Sequence, residues 1–198
     1  MQLPQGFTLQ EAVTLPNNFV TVFHALATDL GVPTPWPKPT DYAPPSAESA
    51  ILIWGGASSV GQYALQILRY YGYHNLLTTA SKKHHSKLIS LGASKAFDYN
   101  DSDVVEQIIS ACKATNEPSI PLILDCIGSQ QGSIRPLSKI AQKGAKVAVL
   151  MPVVVKDSTD STMPEYTLDA EKAAKFTDGV EVRGVRTHFY LEVRSHIA

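Results

Sequence analysis

Ala50-Ile51-Leu52-Ile53-Trp54-Gly55-Gly56-Ala57-Ser58-Ser59-Val60-Gly61 decides the reading of this chain. A short, wholly apolar run suits a strand buried on both faces, as in a parallel sheet. It ends abruptly in small residues, and Val60, Ala64, Leu65, Ile67, Leu68 and Tyr71 then follow at helical spacing until Gly72. Strand, glycine loop and helix in that order form a turn sharp enough for backbone amides to approach an anion. The helix N-terminus adds unpaired N–H groups and the positive end of its dipole. Gly61 lets the helix pack closely on the strand, and Ser58 and Ser59 either cap the helix or donate hydroxyls to phosphate oxygens. Read as Gly55-x-x-Ser58-x-x-Gly61, the loop lacks the middle glycine of the strict dinucleotide fingerprint. A tight turn in some other α/β domain is the competing reading.

Outward from the loop the pattern repeats. Strands are predicted at 75–80, 95–98, 121–127 and 145–151, and helices at 83–91, 104–114 and 133–142. Such alternation predicts an α/β fold, a Rossmann-type doubly wound parallel sheet whose ligands sit at the carboxyl ends of the strands. Before it, 19–30 reads as a helix, and 31–49 carries Pro33, Pro35, Pro37, Pro39, Pro44 and Pro45, a linker or surface excursion. After it, 156–166 reads as a polar loop, 168–176 as a helix and 180–186 as a strand. The expected organisation is a lead-in helix and proline-rich loop over 1–49, the nucleotide-binding domain over 50–152, and a partial C-terminal segment over 153–198.

The second strand speaks to which dinucleotide. An NAD site places Asp or Glu about 20 residues past the loop to bond the ribose 2′-hydroxyl. Here the place reads Thr78-Thr79-Ala80-Ser81-Lys82-Lys83-His84-His85, and no Asp or Glu occurs between Glu48 and Asp98. Ser81 with Lys83 supplies the hydroxyl and cation that a 2′-phosphate needs, so NADP(H) is the expected cofactor. Solvated lysines at a helix start are the competing reading. Tyr99, after the third strand, either touches the adenosine end or merely edges the sheet.

Composition excludes other classes. A formal net charge of -1 over 198 residues gives no reason to expect nucleic acid or an anionic membrane as partner. No run approaches the ~20 apolar residues of a membrane span, and Met-Gln-Leu-Pro-Gln-Gly does not read as a secretory leader. Cys112 and Cys126 are too few for a disulfide framework, so a cytoplasmic location is expected. His84 and His85 are adjacent and diverge on a helix, so no metal site is expected. Asp125 reads as structural, Cys126 lacks a histidine partner, and Ser58-Ser59 does not form a hydrolase elbow.

Three pieces together resemble the cofactor domain of the medium-chain dehydrogenase/reductase superfamily: Gly55-Gly56-Ala57-Ser58-Ser59-Val60-Gly61, Leu91-Gly92-Ala93 and Phe97-Asp98-Tyr99. Within it the chain is similar to fungal trans-acting enoyl reductases and to related "zinc-binding alcohol dehydrogenase-like" proteins that need no zinc. Glu11-Ala12-Val13-Thr14-Leu15-Pro16, Leu124-Asp125-Cys126-Ile127-Gly128 and Val149-Leu150-Met151-Pro152 extend the likeness over roughly residues 5–190. The resemblance implies an NADPH-dependent oxidoreductase of enoyl or quinone reductase type, acting on a small molecule with an activated double bond. It implies that Gly56 and Ser58, Ser59, Val60 and Gly61 face the pyrophosphate, and that Ser81, Lys82, Lys83 and His84 face the 2′-phosphate. Tyr99 falls to the adenosine part, Leu150 and Met151 to the nicotinamide, and Thr21 to its amide. No residue is assigned a catalytic role. Family members carry a separate β-rich domain before this region, which forms much of the substrate cleft. The alternative expectation is therefore a nucleotide-binding module without catalysis, whose apolar face, from 19–30 and 153–155, is exposed for self-association.

Overall fold

The computed structural model describes residues 5–112 and 119–187. Its centre is a six-stranded, wholly parallel sheet. The first five strands are β1 (Ile51–Trp54), β2 (Leu76–Thr79), β3 (Lys95–Phe97), β4 (Leu122–Asp125) and β5 (Lys146–Leu150). A hairpin of β6 (Val153–Lys156) and β7 (Glu165–Thr167) follows, and then β8 (Glu181–Val185) closes the sheet in the order β3-β2-β1-β4-β5-β8. The order reverses between β1 and β4, which is where ligands settle in a doubly wound sheet.

The alternating faces of β1 explain the two cores. Ile51 and Ile53 pack with Val22, Leu26, Ala64, Leu65, Leu68 and Tyr71, whereas Leu52 and Trp54 pack with Ile108, Ile123, Ile134 and Leu137. The first face is covered by α2 (Pro16–His24), preceded by the short α1 (Leu9–Thr14), and by α3 (Ser59–Tyr71). Then come α4 (His85–Ser90), α5 (Val104–Ala111) and α6 (Arg135–Ile140), of which α5 and α6 cover the second face. Gly72 ends α3 in a left-handed conformation, φ +97°.

Three expectations need correction. The predicted helix at 168–176 is only a single 3₁₀ turn, Glu171–Ala173, after the hairpin strand Glu165–Thr167. Leu168, the first residue of that range, is 67% exposed rather than turned to the core. The proline-rich 31–49 segment has no helix or strand and is tied to α3: Tyr71 donates its hydroxyl to Pro35 O at 3.0 Å, and Lys38 reaches Tyr70 O. The expected exposed apolar face is mostly interior, since Val22, Ala25, Leu26, Leu30 and Val153 are buried, and Phe19 and Val20 alone in those two stretches are strongly exposed large side chains. Lastly, the predicted helix at 133–142 begins earlier, with a π-helical turn at Gln130–Ile134 before α6. The predicted 104–114 helix closes at Ala111, and residues 113–114 lie outside the described residues. Among the described residues no helix is long and apolar enough to cross a membrane.

Candidate functional site

Register lays out the site. Phe97, Thr79, Trp54, Asp125 and Val149 stand level across adjacent strands. The residues that follow them leave the sheet together at its carboxyl edge, each strand about 4.8 Å from the next.

The glycine loop is built by side chains as well as by glycine. Thr79 fixes its start, accepting from Gly55 N on Oγ1 at 3.0 Å and from Gly56 N on its carbonyl at 2.9 Å. Ser58 caps α3: its Oγ accepts from Gly61 N at 3.1 Å and donates to Gly55 O at 2.8 Å. Of the two roles that the sequence leaves open for Ser58, the cap is the one realised. Among the described residues nothing accepts from the N–H groups of Ala57, Ser59 and Val60, which leaves an anion-ready helix end. A Cβ at Gly61 would sit 2.5 Å from Gly55 O, and one at Gly56 would sit 2.0 Å from Thr78 Oγ1. Neither position has room for a side chain. The three N–H groups without acceptors are what a pyrophosphate would use, so the loop fits such a group.

Beyond β2 the chain enters a 3₁₀ turn, Lys82–His84, that starts directly after Ser81. Lys82 and Lys83 are exposed, and no hydrogen bond within the described residues engages the Ser81 hydroxyl. The structure adds what the linear pattern hides: Asp98 arrives from β3, and its Oδ2 accepts from Lys82 N at 3.2 Å. No Asp or Glu occurs between Glu48 and Asp98 in the sequence, yet in space the Asp98 carboxylate reaches this turn. Asp98 also lies near His85, whose Nε2 meets Ala80 O at 2.9 Å. Tyr99, 49% exposed, stands beside this turn on the β3 side.

At the other end of the loop a cleft of about 360 Å³ opens. It brings together Thr21, Val60, Leu150 and Met151, all four singled out from sequence, with Asn17, Asn18, Val185, Arg186 and Thr187, which were not. Thr187 Oγ1 donates to Thr21 Oγ1 at 3.1 Å. Asn17 and Asn18 precede Thr21 by one helical turn on α2, a spacing that was available to sequence reasoning. Arg186 was not findable so directly, because it depends on the pairing of β5 with β8.

Asp125 and Cys126 take no part in the cleft. Asp125 is buried, accepts from Ile127 N at 2.9 Å and Gly128 N at 3.2 Å, and takes the Ser133 hydroxyl at 2.6 Å. Burial pushes its carboxyl up to about 6 despite those three donors. Burial, and then the Asp125 charge, push the Cys126 thiol upward, away from the thiolate a nucleophile needs. The sequence reads Asp125 as structural, and its buried hydrogen bonds are of that kind. Among the described residues no three metal-ligating side chains gather.

No protein-family model matches the chain. It is similar to a dual trans-enoyl reductase/FAD-dependent monooxygenase of Aspergillus terreus, 31% identical over 168 residues, 85% of this chain and 22% of that protein. It is similar to a trans-enoyl reductase of Fusarium heterosporum, 30% identical over 191 residues, 96% of this chain and 50% of that protein. Across such relatives the chain spans half their length or less. In fold it resembles the CurK enoyl reductase, TM-score 0.70 at 17% identity, over 98% of this chain and 49% of that one. It also resembles a quinone oxidoreductase of Thermus thermophilus, determined alone and with NADPH, TM-score 0.63 at 19% identity, over 100% and 53%.

Proposed function

From the premise that this chain belongs to the medium-chain dehydrogenase/reductase superfamily, we propose that its carboxyl edge holds NADPH and serves an oxidoreductase of enoyl or quinone type. The observation that carries the reading is a continuous track. It runs from Ser81–His84 past Gly56–Gly61 to the cleft of Thr21, Leu150 and Met151, and Val60 belongs to both loop and cleft.

Each part of the track has a stated task. The free N–H groups of Ala57, Ser59 and Val60 face the pyrophosphate, while Ser58 is spent on holding the loop. The Ser81 hydroxyl and the Lys82 and Lys83 ammonium groups face the 2′-phosphate, with His84 beside them. Tyr99 edges the adenosine end. Leu150 and Met151 form the apolar wall for the nicotinamide, and the Thr21–Thr187 hydroxyl pair meets its amide. Bound in its reduced form, the cofactor supplies hydride; the chain's own residues bind, orient and exclude water.

The relatives named as enoyl reductases, and the fold neighbour described with NADPH, support the same class. The binding-only alternative differs in one observable. NADPH oxidation with short enoyl thioesters and quinones, assayed beside NADPH binding, separates them. Oxidation that depends on the acceptor supports the reductase; binding without oxidation supports the module; neither overturns both.

A further inference from the structure

Of the residues lining the cleft, Arg186 alone carries a charge. Leu150 pairs with Val185 in the parallel register of β5 and β8, so Arg186 and Met151 leave the sheet side by side. Its Nη2 donates to Leu168 O at 3.3 Å, across the cleft mouth. Among the described residues no carboxylate forms an ion pair with it, whereas Arg183, three residues earlier, is held by Glu181. An exposed guanidinium, tied at one point to Leu168 O, thus stands in a cleft lined by the apolar Val60, Leu150, Met151 and Val185 and by the polar Asn17, Asn18, Thr21 and Thr187. A guanidinium keeps its charge at any working pH and offers several donors in one plane to an oxyanion.

Resting on the reading above, we propose that Arg186 is a catalytic residue that stabilises the negative charge developing on the acceptor's carbonyl oxygen. Hydride from the reduced nicotinamide forms a new bond to the β-carbon of an α,β-unsaturated carbonyl compound, and the carbon–carbon π bond breaks. That electron pair shifts through the α-carbon, and the carbonyl π pair comes to rest on oxygen as an enolate. The cofactor is oxidised and the acceptor reduced. The guanidinium holds the oxyanion by hydrogen bonds without giving up a proton, and collapse of the enolate takes a proton from water at the α-carbon. Arg186 therefore favours acceptors whose reaction gathers charge on oxygen, which enones, enoyl thioesters and quinones share.

The test uses a stable oxyanion in place of the enolate. 4-Nitrophenol absorbs at different wavelengths when neutral and ionised, so its state on the protein is read directly in the full chain with NADP⁺ present. Wild type is expected to raise the ionised-to-neutral ratio of bound probe about tenfold over free probe at the same pH. Arg186→Gln is expected to lose that enrichment, and Arg186→Lys, which keeps the charge, to retain part of it. Bound probe no more ionised than free, no bound probe, or an unchanged ratio in Arg186→Gln would overturn the proposal. A parallel NADPH titration separates the two levels. If wild type binds NADPH but shows no preference for the anion, the Arg186 role alone fails. If it binds no NADPH, the cofactor reading fails and the Arg186 role with it.

Discussion

The backbone N–H of Lys82 donates to the Asp98 carboxylate at 3.2 Å, joining the ends of β2 and β3 beside the turn that carries Ser81. Asp98 is held below the usual carboxylate range, first by the backbone hydrogen bond from Asn100 and then by the Asn100 side chain and Lys82 N. It is therefore ionised at neutral pH. A negative charge sits within the basic turn where a 2′-phosphate is proposed to bind.

Asp98 thus anchors the turn and also opposes the phosphate. Asp98→Asn keeps an acceptor for Lys82 N and removes the charge. The ratio of NADPH to NADH affinity is expected to rise about threefold, a screened surface effect that shrinks with added salt. Fluorescence titrations at two ionic strengths measure it; an unchanged ratio, or a lower one, contradicts the role given to Asp98.

Gly61 tests the loop. A methyl group there meets Gly55 O at 2.5 Å and Gly56 Cα at 2.7 Å, backbone atoms that have no rotamer to give. Gly61→Ala is expected to cost about 1–3 kcal/mol of stability, as overpacking does, and to weaken NADPH binding at least tenfold. Thermal melts with calorimetry check both. Full stability with full affinity would mean that helix and strand are not as close as described.

Asp125 makes a pH prediction. Its buried carboxyl rises from 3.8 to about 6, so between those values the folded chain binds more protons than the unfolded one. The stability this contributes is fully present below pH 3.8 and is lost as pH rises through about 6. Asp125→Asn removes that loss. Between pH 4 and pH 7 the variant should gain on wild type by about 3 kcal/mol, read from urea unfolding at each pH. A difference that stays constant with pH contradicts it. Asp125→Ala, which leaves Ile127 N and Gly128 N without their acceptor, should be destabilised at both pH values.

What could be read from sequence was what local chemistry decides. The run Ile51–Trp54 is buried at every position, so its apolarity sufficed, and the Ser58 cap and Gly72 stop bracket α3 unambiguously. Thr21, Leu150 and Met151 were reachable only through the family resemblance, since the α2–β5 juxtaposition is not written in spacing. The 168–176 helix fails because that stretch places Leu168 on a cleft and not on the core, so no continuous apolar face holds a helix there. Asp98 and Arg186 were missed for one physical reason: their neighbours, Lys82 and Met151, are set by parallel strand register, which joins segments far apart in the chain. Parallel pairing leaves no local turn signature to read.

The most direct test of the account is calorimetric titration of the chain with NADPH and with NADH under identical salt. NADPH is expected to bind at least about tenfold more tightly, because Ser81 and Lys83 are proposed to hold the 2′-phosphate. Lys83→Glu is expected to erase that preference by replacing a charge-assisted contact with repulsion. Equal affinities in wild type, tighter binding of NADH, or a preference that survives Lys83→Glu would contradict it.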